Sequence, residues 1–391
     1  MNKFDWNFYL HKYADLSRAG INTKTKAYHH WITYGKKEGR VCTFSDREIY
    51  EDKFDWEYYV QRYSDLVKRG INTKEKAYNH WIIHGKNEGR QVNLTKEIEE
   101  KYQKILRRNA NLDEINYFVM ELLNKKITLS DVDEILKQSL EKKYLRLLRQ
   151  LVVYDISDYR KIRLGNDHDG GYIVIYHLSD IEKIYSYGVG DNISFEKDLF
   201  ERCQCPVYLY DPTVEIHQLP NQNFIFKKEG VYDKKTDDMD TLWSHIKQNN
   251  DETNNHLFLK MDIENAEWCV IQEVAENILS LFEQIVIEIH WLDRIESVDL
   301  KIAVLKKINK YFYLVHAHAN NYVEVVIING LKIPRVIELT FIRKDLVQNV
   351  NISTQKFPTL LDSVNDPSKP EINLDFYPFD PITRTGALKK Y

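Results

Sequence analysis

The stretch from Ile184 to Asp211 constrains this chain most, because it has the form strand, glycine turn, helix, strand, acid. A β-branched and aromatic run, Ile181 to Tyr187, suits a buried parallel strand and stops at Gly188 and Gly190. Two glycines there let the backbone turn sharply and approach a ligand with no Cβ in the way. The next strand, Val207 to Tyr210, ends in Asp211. That is close to the offset of about twenty residues at which a nucleotide-binding α/β unit places an acid for ribose hydroxyls. A hydride-transfer cofactor would bring a third glycine, opening the helix so that its N-terminus faces a pyrophosphate. Ile193 stands in that place. S-adenosylmethionine has a ribose and no phosphate, and so suits a two-glycine turn ending in an acid. The alternative for a bare Gly-x-Gly is an ordinary tight turn.

A chain of 391 residues can hold two or three domains, each with its own core. The net charge of -4, with the charges interspersed, gives no reason to expect a nucleic-acid groove or an anionic membrane surface. The start, Met-Asn-Lys-Phe-Asp-Trp, lacks the apolar core of a signal peptide, and no apolar run is long enough to span a bilayer. The cysteines Cys42, Cys203, Cys205 and Cys269 make no disulfide framework, so a reducing, cytoplasmic setting is expected.

An ungapped repeat fills the first ninety residues. Phe4-Asp5-Trp6 returns as Phe54-Asp55-Trp56, Gly20-Ile21-Asn22-Thr23-Lys24 as Gly70-Ile71-Asn72-Thr73-Lys74, and His30-Trp31-Ile32 as His80-Trp81-Ile82. Glu38-Gly39-Arg40 returns as Glu88-Gly89-Arg90. Trp6, Tyr9, Leu10, Tyr13 and Leu16 fall at helical spacing, Gly20 can end that helix, and Thr23 can cap the next. Each copy, over residues 1–43 and 51–93, is therefore expected to be a two-helix unit whose aromatic stripe is core rather than a sugar-stacking face. Residues 94–150 continue as helices starting near Asn93 or Thr95, at Asn111 and Asp113, and at Ser130-Asp131. The repeats resemble short modules found beside glycosyltransferases, including some of giant viruses, and the run from Ile105 to Lys143 resembles a helical domain that accompanies glycan-modifying enzymes. A protein partner or self-association through the repeats is expected on that footing.

From residue 151 to the end, short strands alternate with helices, which signals an α/β domain with a parallel sheet covered on both faces. Ile181–Tyr187, Val207–Tyr210, Phe224–Phe226, Leu257–Met261 and Ile285–Ile289 read as the first five strands, with Ala266 to Phe282 as a sheet-covering helix. Tyr311–His316 and Val336–Ile342 read as late strands, and Glu324–Ile328 as a hairpin partner. The tail after Asn349 is rich in turn residues and reads as loops wrapping the domain.

Ligands collect beyond the carboxyl ends of the strands in an open α/β sheet. Here those ends carry Lys260-Met261-Asp262-Ile263-Glu264, then Glu288-Ile289-His290, then His316-Ala317-His318-Ala319-Asn320. Alternation puts Glu288 and His290 on one face, and His316, His318 and Asn320 on one face of the next strand. Carboxylates and imidazoles in apolar strands are costly unless paired, so their convergence marks a candidate site.

The segment Leu259-Lys260-Met261-Asp262-Ile263-Glu264-Asn265-Ala266-Glu267, followed by Ile287-Glu288-Ile289-His290, resembles the signature of FkbM-type S-adenosylmethionine-dependent methyltransferases. Arg163-Leu164-Gly165-Asn166-Asp167-His168-Asp169-Gly170-Gly171-Tyr172, Tyr187 to Phe195, and Tyr210-Asp211-Pro212-Thr213 resemble a methyltransferase-like branch of that group. Asn265 departs from the glycine usual there, and Asn tolerates a left-handed backbone. The resemblance implies a seven-stranded, Rossmann-like class I methyltransferase domain with its last strand antiparallel. It implies cofactor contacts at Gly188, Gly190 and Asp191, the ribose on Asp211, adenine near Gly230-Val231, and Asp262 facing the methyl group and the acceptor. Arg163 and Asp169 would close the site.

Methyl transfer to a hydroxyl needs alignment and removal of one proton. His290 and His318 are the base candidates. Asp262 and Glu288 could instead hold Mg²⁺ or Ca²⁺ to orient two sugar oxygens. The expectation is a cytoplasmic O-methyltransferase acting on a small-molecule or glycan acceptor: a sugar, sugar nucleotide or glycan. Its rivals are a non-catalytic binding protein using the repeats and a nucleotide-dependent oxidoreductase. Cys203-x-Cys205 lacks the second pair of a zinc site, and the basic run from Lys142 to Arg149 reads as the solvated face of a helix.

Overall fold

The computed structural model describes residues 4, 6–38, 40, 42, 54–85, 88–124 and 126–383, and the chain divides into two compact units, Met1–Asp133 and Glu134–Tyr391. Asp5 and Gly39 of the repeat motifs lie outside the described residues.

The first unit is helical. Each repeat buries its stripe within its own copy: Tyr9, Leu16 and Ala27 pack with Trp6, Tyr13 and Trp31, and Tyr59, Leu66 and Ala77 with Trp56, Tyr63 and Trp81. The histidines belong to these cores, His30 Nδ1 lying 3.1 Å from Tyr9 Oη and His80 Nδ1 2.9 Å from Tyr59 Oη. Thr23 and Thr73 cap the helices Lys24–His30 and Lys74–His80 as expected. The first helix of each copy, however, breaks in two, at Tyr13 and at Tyr63. These tyrosines leave helical backbone to place their rings 4.8 Å beneath Arg40 and Arg90, whose guanidinium groups also hold Asp15 and Asp65. A cation on a ring and an ion pair outweigh one helical turn's continuity. Further on, Asn93 caps Leu94–Leu106, and Asn111 forms a capping box with Glu114 at Leu112–Leu123. A third helix, Leu129–Leu148, starts one residue after Thr128, whose hydroxyl exchanges hydrogen bonds with Asp131. The division between the two compact units falls inside this helix. Its later residues belong with the sheet, Tyr144 donating a hydrogen bond to the Asp293 carbonyl at 2.7 Å.

Among the described residues the second unit holds fifteen strands. Before the glycine turn come β1 Tyr154–Ile156, β2 Lys161–Gly165, β3 Gly171–Ile175 and β4 Lys183–Tyr187. After it come β5 Val207–Tyr210, β6 Phe224–Lys227, β7 Gly230–Tyr232, β8 Met239–Thr241, β9 Leu257–Met261 and β10 Phe282–His290. The last are β11 Phe312–Ala319, β12 Val325–Ile328, β13 Leu331–Pro334, β14 Val336–Arg343 and β15 Val350–Ile352. Seven form the central sheet in the order β6-β5-β4-β9-β10-β14-β11, parallel throughout except for β14. The apolar core on one side of it gathers Ile184, Val207, Leu209 and Phe258 from the strands with Phe195 and Leu199 from the helix Ser194–Cys203.

Three expectations change. The five strands expected first are preceded by β1 and by the hairpin β2–β3, whose inner strand is entirely buried. Gln284 pins that hairpin to the sheet, accepting from Ile175 N and donating to Ile175 O, both at 3.0 Å. The helix expected from Ala266 to Phe282 is two short ones, Glu267–Glu273 and Glu276–Leu279, because Val274 and Ala275 turn to extended backbone. β10 consequently begins at Phe282, with Glu283 and Gln284 fully buried inside it; His256 lies 2.6 Å from the first, and the hairpin satisfies the second. The tail after Asn349 first forms β15, and from residue 353 to 380 the chain then runs as loops along this unit, as expected.

Candidate functional site

Strand order reverses between β4 and β9, and a crevice opens at their carboxyl ends. β4 delivers the glycine turn there. Gly188 has φ +72°, and a Cβ on it would lie 1.6 Å from the Asp262 carbonyl oxygen, so only glycine lets the two strand ends meet. Gly190 has φ +55° and open space on its Cβ side. From the end of β5, Asp211 Oδ2 accepts from Gly190 N at 2.9 Å while Oδ1 accepts from Thr213 N at 2.8 Å and Thr213 Oγ1 at 2.6 Å. Burial raises the pKa of Asp211, but the bonds from Thr213 and Gly190 outweigh it and hold the carboxyl below its usual range. Lys260, at the end of β9, donates to the Gly188 carbonyl at 2.7 Å and fixes the turn from beneath.

These ends line a cavity of about 480 Å³. Asp169, Gly188, Gly190, Asp191, Asp211, Gly230, Val231 and Asp262 all face it, which brings together every expected cofactor residue but one. Arg163 is the exception: its guanidinium turns back to the carbonyls of Asn166 and His168 and holds the loop that carries Asp169. Through those bonds it shapes that loop. At the opening of the helix Ser194–Cys203, Ile193 is apolar and buried where a third glycine would stand.

Beside the cavity stands the acid and imidazole cluster. Tyr172 donates to Asp262 Oδ2 at 3.3 Å. Glu264 and Asn265 follow with φ +54° and +87°, two successive left-handed residues. Asn265 thus adopts the conformation a glycine would, and the turn carries Glu264 Oε2 to 3.6 Å from His290 Nε2. Asp262 Oδ1 and Glu288 Oε1 each lie 3.9 Å from the same nitrogen. The other ring nitrogen, Nδ1, is 3.0 Å from the buried Glu267 Oε1. Burial lowers the pKa of His290, but Glu267, then Asp262 and Glu264, raise it further than burial lowers it.

Glu288, Glu338 and His318 stand in register across β10, β14 and β11. Burial, then Asp262 and Glu338, push the pKa of Glu288 well up, and its Oε1 accepts from Asn320 Nδ2 at 2.8 Å. His318 is placed differently from expectation. Its Nδ1 is 3.1 Å from Glu338 and its Nε2 3.3 Å from Glu371, and against the effect of burial these carboxylates lift its pKa to about 10. A ring with both nitrogens engaged and its proton held this firmly has no lone pair for a substrate, so His318 leaves the set of bases. It and His316, 2.7 Å from Asp362, anchor the C-terminal segment instead.

The donor set for a cation also shifts. Asp262, Glu264 and His290 offer ligand atoms within 4.8 Å of one another, so a divalent ion would rest on these three and not on Asp262 with Glu288. A second group, Glu229, Asp240 and His245, is equally close, but Lys235 and Ser244 already engage Asp240, and Tyr187 Oη lies 3.1 Å from His245 Nδ1.

Sequence reasoning missed Tyr172, Lys260, Glu267 and Glu338. Glu338 carries the signal that revealed Glu288, a lone acid in the apolar run Val336 to Ile342. No protein-family model and no curated protein matches the chain. The likeness to methyltransferases therefore stands on the motif residues and their order.

Proposed function

We propose that the chain is an S-adenosylmethionine-dependent O-methyltransferase whose acceptor is a hydroxyl of a sugar, sugar nucleotide or glycan. The observation that carries this is the charge of the cavity. Six carboxyl groups, those of Asp169, Asp191, Glu196, Asp211, Asp262 and Glu264, face one ammonium, that of Lys260. Such a lining favours a cation and opposes a pyrophosphate, which weighs against the oxidoreductase. The sheet order with its antiparallel β14 supports the reading, being the arrangement of class I methyltransferases. The sugar rests on the family likeness and on the company that such repeats keep.

Gly188, Gly190 and Asp191 would hold the cofactor's amino-acid end, Asp211 its ribose, and Gly230 and Val231 its base. When bound, the cofactor supplies an electrophilic methyl group on a sulfonium that leaves as a neutral thioether. The chain's own work is then alignment and one proton transfer. His290 takes the acceptor's proton on Nε2, with Glu267 fixing the ring through Nδ1 and Asp262 holding the acceptor in line. A cation on Asp262, Glu264 and His290 would orient acceptor oxygens, and it would occupy the lone pair that the base needs.

Calorimetric titration with S-adenosylmethionine and with NAD tests the reading. Binding of the first alone is expected. Binding of NAD would turn the reading toward hydride transfer, and binding of neither toward an adaptor. Turnover against a panel of nucleotide sugars, read by mass spectrometry for the gain of one methylene, would identify the acceptor.

A further inference from the structure

Several basic groups along the second unit have a carboxylate in hand. Lys183 reaches Asp251 at 2.7 Å, Lys235 reaches Asp240 at 2.7 Å, and Arg343 reaches Asp345 at 2.7 Å. Arg160, Lys161 and Lys356 differ: among the described residues, none of the three has a carboxylate oxygen within 4.0 Å. They nevertheless line one cleft of about 550 Å³, between the start of β2 and the loop of residues 355–361. The Lys161 ammonium is buried with no hydrogen-bond partner, a costly state for a cation.

One acid shares the cleft, Asp155; its Oδ2 accepts from Thr354 N at 3.0 Å, while its Oδ1, like the Lys161 ammonium, is buried with no hydrogen-bond partner, so one carboxylate stands against three cations. Asp362, the other carboxylate felt by Lys161, is committed to His316 and to Thr359. Three cations against one acid repel one another on a chain whose net charge is -4. Arg160 lies 4.6 Å over the Tyr176 ring, so its planar fork is held in place. A fork of that kind matches the oxygens of a phosphate, and two further point charges beside it suit the second negative charge that a phosphate can carry.

We propose that this cleft binds a phosphate ester or diphosphate, with Arg160 as the fork and Lys161 and Lys356 as its counter-charges. The ligand has two sources of the same chemistry, a soluble phosphorylated compound or a phospholipid headgroup. The second arises because Leu360, wholly exposed, and Leu361 stand on the rim. The site does not depend on the methyltransferase reading.

The full chain would be titrated with pyrophosphate at low salt and, separately, mixed with phosphatidylcholine vesicles with and without phosphatidic acid. Saturable pyrophosphate binding is expected, at least tenfold weaker in R160A/K356A and weaker also in K161M, which keeps the buried stem. Thermal unfolding checks that these variants are folded, and S-adenosylmethionine binding should be the same in R160A/K356A as in the parent, so the two readings fail separately. Binding only to vesicles that hold phosphatidic acid, lost in R160A/K356A, would sustain the phosphate chemistry and assign the lipid source. Binding of neither probe, or equal binding by folded R160A/K356A, would overturn the proposal.

Discussion

Asp211→Ala should cost the protein its cofactor, and the size of the loss can be worked from the contacts. The carboxylate is 4 % exposed and satisfies three donors, Gly190 N, Thr213 N and Thr213 Oγ1. Alanine strands the two backbone N–H groups, each worth roughly 1–3 kcal/mol when left buried and unpaired. That energy is lost from the free protein as well, so it appears mainly as lower stability and a looser glycine turn. The loss in binding comes from charged hydrogen bonds to ribose hydroxyls, about 1.5–3 kcal/mol apiece, and from re-ordering the turn around Gly190. A net loss of about 2–4 kcal/mol weakens Kd by roughly 30- to 1000-fold. Asp211→Asn should recover part of the stability and little of the affinity, since its amide N–H₂ would face one of the same donors. Isothermal titration with S-adenosylmethionine reads the first quantity and chemical denaturation the second. If the alanine variant unfolds more easily yet binds within about threefold of the parent, Asp211 is only a turn residue and the ribose lies elsewhere.

Further tests separate the remaining roles. His290→Ala should bind S-adenosylmethionine nearly as well as the parent and lose roughly 10²–10⁴-fold in turnover, and a chelator should leave the parent's rate unchanged. A base whose pKa is raised above 6.5 loses its neutral form as pH falls, so the pH–rate profile should climb through a value above 6.5. Gly188→Ala should fail to fold stably, because its Cβ would lie 1.6 Å from the Asp262 carbonyl, whereas Gly190→Ala should fold at a cost of about 1 kcal/mol and lose cofactor affinity. His318 is raised from 6.5 to about 10 in the folded chain, so its contribution is whole below pH 6.5 and is lost as pH rises through about 10. His318→Gln should therefore lose stability on the order of a few kcal/mol near neutrality and flatten the alkaline decline in melting temperature. An acceptor sugar lacking the hydroxyl next to the methylated one should react far more slowly than its parent.

What the sequence disclosed was local. An apolar strand, two glycines and an acid lie within one stretch, and each acts through its own backbone or the next turn, so the cavity residues could be found without knowing the sheet order. The hairpin β2–β3 could not, because what pins it is Gln284, a hundred residues away, and a glutamine within a strand reads as a reason against that strand. The role of His318 was hidden for the same reason: Glu338 and Glu371, which take both its nitrogens, lie 20 and 53 residues further along. In the repeats the spacing of Tyr13 was helical, and only the later Arg40 gives its ring a reason to turn out. Alternation located the polar face correctly, but it could not say which members of that face are spent on one another.

With His318 clamped and the Glu288 carboxyl buried, pushed well up in pKa and held by Asn320, the groups left beside the cavity are the exposed Glu264, Asp262 and His290 Nε2, the last two 3.9 Å apart. That separation is too long for a direct hydrogen bond and leaves both atoms facing inward as acceptors. A hydroxyl has one proton and can donate it to one of them. If it goes to His290, which must receive it for the methyl group to be taken up by oxygen, then Asp262 needs a different donor on the acceptor. Two hydroxyls on neighbouring carbons supply both at once, one to react and one to hold. An isolated alcohol or a phenol would leave Asp262 Oδ1 without a donor while Oδ2 keeps that of Tyr172, and an unmet acceptor of that kind costs more than a missing attraction. On the proposed reaction, this pair of acceptors would favour a vicinal diol over a single hydroxyl, which is the expectation that the sugar lacking the neighbouring hydroxyl tests.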